Sequence, residues 1–400
     1  MKSANLYTPQ MTATCPACGL LCDDIALENN KVANTNCQKA IAFFEQPLGE
    51  DLNKKLPKIA GKSATLQQAI SKAAEILKQA NQPLFSGLST DVAGFRSLFS
   101  LAQKTNAKLS HMNATSMARN LKVLQSTGWQ TTTLTEVKNR ADVIVCIGSD
   151  IVSYHPRFFE RFVDVDGMFV KVKNRQIIVL GNTSNQDIIK SDALQAAWVL
   201  PCRADDLPSI TVALRALVNG KGLKATEIVG IKISDLQTLA DKLKTAKYAV
   251  LAWVAKDLDF PHAELTIQNI TETVAILNAT TRAAGLPLGG SDGDTSANNA
   301  HTWLSGLALN DEHTEHDAML WVNSFSPEIL PPKTDRPLII IGNSNIKHQA
   351  DVFIPIATPG LDCSGTLFRV DSSVVLPLKK VRENNLPTFS QVVRQIEAVL

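Results

Sequence analysis

Four cysteines crowd the first forty residues, Cys15, Cys18, Cys22 and Cys37, in the order C-x2-C-x3-C-x14-C. Thiolates are soft ligands for iron and zinc. Three of them close together, completed by a fourth from beyond a short hairpin, suit a cubane in which each cysteine holds one iron. A [4Fe–4S] cluster is therefore the first reading of Cys15, Cys18, Cys22 and Cys37. Structural zinc is the alternative, because four-cysteine zinc sites are built from paired C-x2–4-C knuckles and Cys18 to Cys22 is a permissible one. A set of buried thiols holding no metal is the third. Cys146, Cys202 and Cys363 stand alone in apolar or loop-like surroundings. That asymmetry marks residues 1–60 as a separate N-terminal iron–sulfur-type module.

Other chemistry-bearing residues carry weaker signals. His313 and His316 have the i, i+3 spacing of a helical metal pair, but such clusters are more often solvated polar turns. His111, His155, His262, His301 and His348 are each isolated and read as structural histidines. Gly289, Gly290 and Gly293 lack the G-x-G-x-x-G spacing after a strand, so no dinucleotide site is expected.

The elements that must position these residues are short apolar runs alternating with helices. The runs 142–150, 176–182, 248–253, 318–324, 337–343 and 352–357 are mostly closed by Gly, Asn, Ser or Asp, as buried parallel strands are. In Thr65–Gln79 the apolar residues Leu66, Ala69, Ile70, Ala73, Ile76 and Leu77 recur at three and four, which predicts an amphipathic helix. The class is α/β. Because ligands of open parallel sheets sit outside the strand C-termini, Gly148-Ser149-Asp150, Gly181-Asn182-Thr183 and Gly342-Asn343-Ser344 are expected to ring a crevice, with 285–299 as its loop. Trp253, Trp303 and Trp321 are expected to pack in or beside the sheet.

Composition narrows the partners. The 400 residues are 44% hydrophobic and 20% charged, the profile of a folded chain with real cores and not of a disordered one. The net charge of +2 comes from scattered lysines and arginines, so no nucleic-acid surface is implied. The longest apolar runs fall far short of the roughly 20 residues of a membrane span, and the first fourteen residues lack the apolar core of a signal peptide. A cytoplasmic location is expected, where disulfides do not persist.

Four separated segments, 15–32, 143–150, 277–306 and 351–371, together resemble the B subunit of formylmethanofuran dehydrogenase, a family of the molybdopterin oxidoreductase superfamily. The resemblance runs over roughly residues 12–385, with the motifs in order. It implies a small Cys-rich module followed by two intertwined Rossmann-like parallel-sheet domains, here 61–155 with 336–400, and 156–335. In the family these surround a tungsten or molybdenum bis-pterin.

The departures from the family pattern point away from redox chemistry. Where the family has a Cys-His pair just before a helix, this chain has Ser116 and Met117, and where it has an arginine, this chain has Gly289. A neutral hydroxyl replaces a soft thiolate, a thioether replaces an imidazole, and no guanidinium remains to clamp a carboxylate. No catalytic residue is expected in this chain, and neither molybdopterin nor tungsten. The resemblance is nearer to the B subunits of bacterial formyltransferase/hydrolase complexes. These assist the tetrahydromethanopterin-dependent oxidation of formaldehyde to formate, by transfer and hydrolysis of a formyl group. The partners so implied are an amidohydrolase-like A subunit, a C subunit and a formyltransferase D subunit. The alternative is an active tungsten or molybdenum dehydrogenase subunit with Ser116 as the metal ligand.

Overall fold

The computed structural model describes residues 11–47, 56–148, 150–181, 196–309 and 315–400. Short strands open the chain: β1 (Met11–Ala13), β2 (Ile25–Glu28) and β3 (Lys31–Val32) pair antiparallel, followed by helix α1 (Gln38–Phe44). The hairpin of β4 (Lys58–Ile59) and β5 (Lys62–Ser63) leads to α2 (Leu66–Gln79). Thr65 starts α2 through a reciprocal cap, with its hydroxyl accepting from the Gln68 N–H and its own N–H donating to the Gln68 side chain. Two orphan donors of the first turn are thereby satisfied, and Ala69, Ile70, Ala73, Ile76 and Leu77 form the buried face.

The chain then builds two units. Unit 1 is Met1–Ala114 with Gly290–Leu400. Its sheet, among the described residues, runs β5-β4-β17-β16-β15-β6-β7. Here β6 is Pro83–Ser89 and β7 Lys108–His111, while β15 (Ala318–Asn323), β16 (Leu338–Asn343) and β17 (Val352–Ile356) come from the far end of the chain. From β17 to β7 the strands are parallel, and helix α3 (Val92–Thr105) crosses from β6 to β7. A last hairpin, β18 (Gly365–Phe368) and β19 (Val375–Leu378), belongs to the same unit.

Unit 2, Thr115–Gly289, is one uninterrupted stretch. Helices α4 (Ala114–Ser126) and α5 (Leu134–Arg140) precede β8 (Val143–Ile147), β9 (Gln176–Leu180) and β10 (Trp198–Leu200). A small hairpin, β11 (Glu227–Ile228) and β12 (Ile231–Lys232), separates these from β13 (Ala249–Val254) and β14 (Ala283–Leu288). The described sheet is wholly parallel in the order β10-β9-β8-β13-β14. Helices 207–218, 233–245 and 263–277 bury Leu214, Leu239, Ile267 and Ile270 against it. Strands covered on both faces have no polar alternation to display, which is why their sequences are continuous apolar runs.

The α/β class with parallel-strand sheets expected from the sequence is what the fold contains. The two units divide the chain elsewhere than at the sequence-based boundaries 155/156 and 335/336. Strand β8 pairs with β13 and β9, so it belongs to unit 2, and β15 pairs with β6 and β16, so it belongs to unit 1. The Cys-rich module is part of unit 1. The stretch 285–299 is no loop: it is the end of β14, a short turn and the helix 294–305. Gly285 lies inside β14 because a Cβ there would stand 3.0 Å from the Trp253 ring. Gly148 and Gly181 end strands of the unit 2 sheet, whereas Gly342 and Asn343 lie at the end of β16 in unit 1; Ser149, Asn182 and Thr183 fall outside the described residues. Trp253 and Trp321 are buried, but Trp303 is 68% exposed, contrary to expectation.

Candidate functional site

All four cysteines lie in unit 1. The β1–β2 loop folds back on itself, with the Cys15 N–H donating to the Cys22 carbonyl at 2.9 Å and the Leu21 N–H to the Cys18 carbonyl at 3.2 Å. Cys37 stands at the start of α1. Cys15, Cys18 and Cys22 are buried, Cys37 is half-buried, and all seven cysteines are free thiols. Burial pushes the Cys15 thiol well above its ordinary range, and the neighbouring Cys18, Cys22 and Cys37 push it further. Burial also takes Cys18 up to about 12, with Cys22 adding to the effect and Lys39 opposing it. Thiols close enough to oppose one another's ionisation become thiolates together only when a cation compensates them. As soft thiol donors, Cys15, Cys18, Cys22 and Cys37 are compatible in type with a soft metal or cluster. Among the described residues, no three His, Cys, Asp or Glu side chains converge as ligands on one ion. His313 lies outside the described residues, so its spacing to His316 has no structural counterpart here.

The cysteine loop rests against the segment where the chain returns from unit 2. Gly19 accepts a hydrogen bond from the Val370 N–H at 2.9 Å. Gly290, with φ +83°, approaches so closely that a Cβ would lie 2.6 Å from the Gly19 Cα. Only glycine meets both the left-handed backbone and the close approach.

Behind Gly290 lies a buried polar network that sequence reasoning did not single out. The Asn113 side-chain amide donates to the Ser291 hydroxyl at 2.9 Å and to the Asp294 carboxylate at 3.1 Å, and its backbone N–H donates to His111 Nδ1 at 3.0 Å. That leaves His111 Nε2 as donor to the Asp292 carbonyl at 3.2 Å. The Asp292 carboxylate accepts from the Ser326 hydroxyl. His111, Asn113, Asp292 and Asp294 are all buried. The only sequence hint was two aspartates in a glycine-rich stretch next to the expected arginine position.

Burial raises Asp294 from 3.8 to about 6, against the Asn113 hydrogen bond and with help from Asp292. A carboxyl with a raised folded-state pKa favours folding when protonated, and that contribution is lost as pH rises from about 4 through about 6. Asp294→Asn keeps an acceptor for Asn113 and removes the buried charge. The variant is expected to match the wild type near pH 4 and to exceed its stability by about 3 kcal/mol at pH 7.5. Urea unfolding at the two pH values measures the difference, and equal stabilities at pH 7.5 would refute the assignment.

The three positions that depart from the family pattern lie where the chain passes between units. Ser116 and Met117 are half-buried in the first turn of α4, just after the outward passage at 114/115. Gly289 is the last residue before the return at 289/290. In unit 2 both passages are tethered. His155 Nε2 meets the Gly289 carbonyl at 2.8 Å. Arg119 on α4 donates to the Ala255 carbonyl at 2.8 Å and pairs with Asp259. Trp253 Nε1 donates to Asn120 at 2.9 Å. His155 was read from the sequence as structural, and its bond to Gly289 places it beside one of the three positions that depart from the family pattern.

No family model matches the chain. The B subunit of the tungsten-containing formylmethanofuran dehydrogenase 2 of Methanococcus maripaludis is 28% identical over 415 residues, covering 92% of each chain. Its namesake from Methanocaldococcus jannaschii is 27% identical with the same coverage. The B subunit of the formyltransferase/hydrolase complex Fhc of Methylorubrum extorquens is 24% identical, over 79% of this chain and 89% of that one. A chain in the crystal structure of the Methylorubrum extorquens FhcABCD complex with methylofuran superposes with a TM-score of 0.71 at 22% identity, over 86% of this chain and 98% of that one. With that coverage by sequence and a shared fold, the chain is a homologue of the B subunits of formylmethanofuran dehydrogenase and of the Fhc complex.

Proposed function

We propose that this chain is the non-catalytic structural B subunit of a formyltransferase/hydrolase complex in one-carbon metabolism. The carrying observation is the joint replacement of three family positions by Ser116, Met117 and Gly289. Formyl transfer and hydrolysis change no oxidation state, so a B subunit in such an assembly needs neither a thiolate on a redox metal nor a general acid beside it. No step of the reaction runs through this chain. Its role is to hold an assembly with an amidohydrolase-like A subunit, a C subunit and a formyltransferase D subunit, in the cytoplasm. Cys15, Cys18, Cys22 and Cys37 hold a [4Fe–4S] cluster in this reading, with zinc as the alternative, and the metal serves the fold of the N-terminal module.

The second reading is an active tungsten or molybdenum dehydrogenase subunit in which Ser116 binds the metal. It is favoured by the higher identity and wider coverage of the two tungsten-containing relatives. Metal content and turnover of the complex copurified from its source separate the two. Neither tungsten nor molybdenum is expected, nor any viologen-linked oxidation of a formyl carrier, and Ser116→Cys alone is expected to restore none. Turnover that depends on tungstate or molybdate would establish the second reading instead.

A further inference from the structure

Ligands of a parallel sheet gather at the strand C-termini, yet unit 2 also has a built cavity at the opposite end. It measures about 400 Å³ and lies where the chain enters β8, β13 and β14. Asp142 precedes β8 and spends its carboxylate on the chain itself, accepting from the Lys247 and Tyr248 N–H groups at 2.9 Å each. The Tyr248 hydroxyl donates to Thr132 at 2.9 Å. These bonds lock the loops that form the wall.

Positive charge faces this wall. Arg140 is paired with Glu136 at 2.7 Å and lies 4.3 Å over the Phe169 ring. The exposed Lys247 and Arg282 side chains line the cavity and have no hydrogen bond or ion pair among the described residues. The one acidic side chain in the wall, Asp142, is already occupied by backbone donors.

An apolar anchor stands beside the cations. Phe169 is 60% exposed and its neighbour Met168 is 76% exposed, in a loop pinned by Asn139. The Asn139 carbonyl accepts from the Phe169 N–H at 2.9 Å, and its side chain accepts from the Met168 N–H at 3.2 Å. An exposed aromatic ring on a fixed backbone and under a guanidinium loses little entropy when a partner covers it. A small anion would satisfy Lys247 and Arg282 but leave Phe169 and Met168 in water.

We infer that this pocket docks an acidic segment of a companion subunit, with carboxylates on Lys247 and Arg282 and an apolar side chain on Phe169. The inference rests on the proposal that the chain works within a complex. It adds which face of unit 2 is covered and by what chemistry.

The test uses the full chain in its copurified complex. Lys247→Glu combined with Arg282→Glu is expected to lower the recovered complex about tenfold at physiological salt, and Phe169→Ala to lower it less but with a weaker salt dependence. These residues are exposed, so the melting temperature of the variant chain alone should stay that of the wild type. Asn174→Cys, on the same wall, is expected to give cross-links with a bifunctional thiol–amine reagent to a partner peptide rich in Asp or Glu. Full assembly of the double variant, or cross-links confined to segments without acidic residues, would overturn the docking site. Thermal stabilisation of the wild type by citrate together with full assembly of the double variant would assign the pocket to a small anion instead. If the wild-type chain itself enters no complex, the assembly proposal falls and the docking site with it, whereas a wild-type complex indifferent to the variants refutes the docking site alone.

Discussion

If Cys15, Cys18, Cys22 and Cys37 hold the proposed metal, Cys18→Ser is expected to remove it and to unfold the surrounding residues, while the main sheets of the two units remain intact. The module has little to hold it otherwise. Its β1–β3 sheet has strands of two to four residues, and α1 has seven. The buried Leu20, Leu21, Ile25, Phe43 and Phe44 form a small apolar core, too small to replace metal ligation in a unit of this size. Metal bound by thiolates contributes on the order of 10 kcal/mol to such modules, and removing one of four ligands forfeits much of it. Iron and zinc analysis of anaerobically purified protein, the visible absorbance of the cluster and limited proteolysis of the first fifty residues read the outcome. About four irons per chain in the wild type, lost in the variant, is the expected result. Without metal the Cys18 thiol is neutral, since burial holds it at about 12, and serine would then cost only about 1–2 kcal/mol. A metal-free, fully folded wild type that tolerates the substitution would therefore sink the cluster and the zinc readings alike.

Trp253→Ala is expected to cost unit 2 about 4 kcal/mol, the range for emptying a large aromatic site in a core. Trp253 is fully buried in β13, meets Trp129 edge-on at 6.1 Å and touches Gly285 of β14. Its indole N–H holds Asn120 on α4, so the ring fixes the helix that carries Ser116 and Met117. Trp253→Phe keeps most of the packing and loses the hydrogen bond, and about half of the destabilisation should return. Denaturant unfolding of both variants, with hydrogen exchange of α4, measures the effect. Equal protection of α4 in Trp253→Ala and the wild type would show that the ring does not position it.

The strands that were legible in the sequence were those with uninterrupted apolar runs, β8, β9, β13, β15, β16 and β17. Strands β6 and β14 were not, because Ser86, Gly87 and Ser89 in one and Gly285 and Pro287 in the other mimic turn composition. In each the small residue answers a neighbour: a Cβ on Gly87 would strike the Val322 carbonyl at 2.4 Å. Unit boundaries were illegible for a related reason, since membership is decided by pairing partners far away in the chain. At the candidate site, the cysteines were singled out by type and spacing. The network of His111, Asn113 and Asp294 did not, because each is a single polar residue whose partner is defined only after 113 and 294 have been brought together.

That unit 2 is one continuous insertion has a consequence for the order of synthesis. The ribosome completes Thr115–Gly289 before it has made β15, the strand that must slot beside β6. At about 5–20 residues per second the roughly 200 residues between β7 and β15 take about 10–40 s, long beyond the folding time of a small domain. Through that interval the nascent chain carries a finished unit 2 and an unfinished unit 1. Strand β6 then has β7 on one side and an open, buried-type apolar edge on the other. Such an edge templates wrong pairing, including with the same strand on a neighbouring nascent chain. The vulnerable species in making this protein is therefore the half-built sheet of unit 1 waiting for its central strands, and chaperone contact during translation should concentrate on residues 83–111.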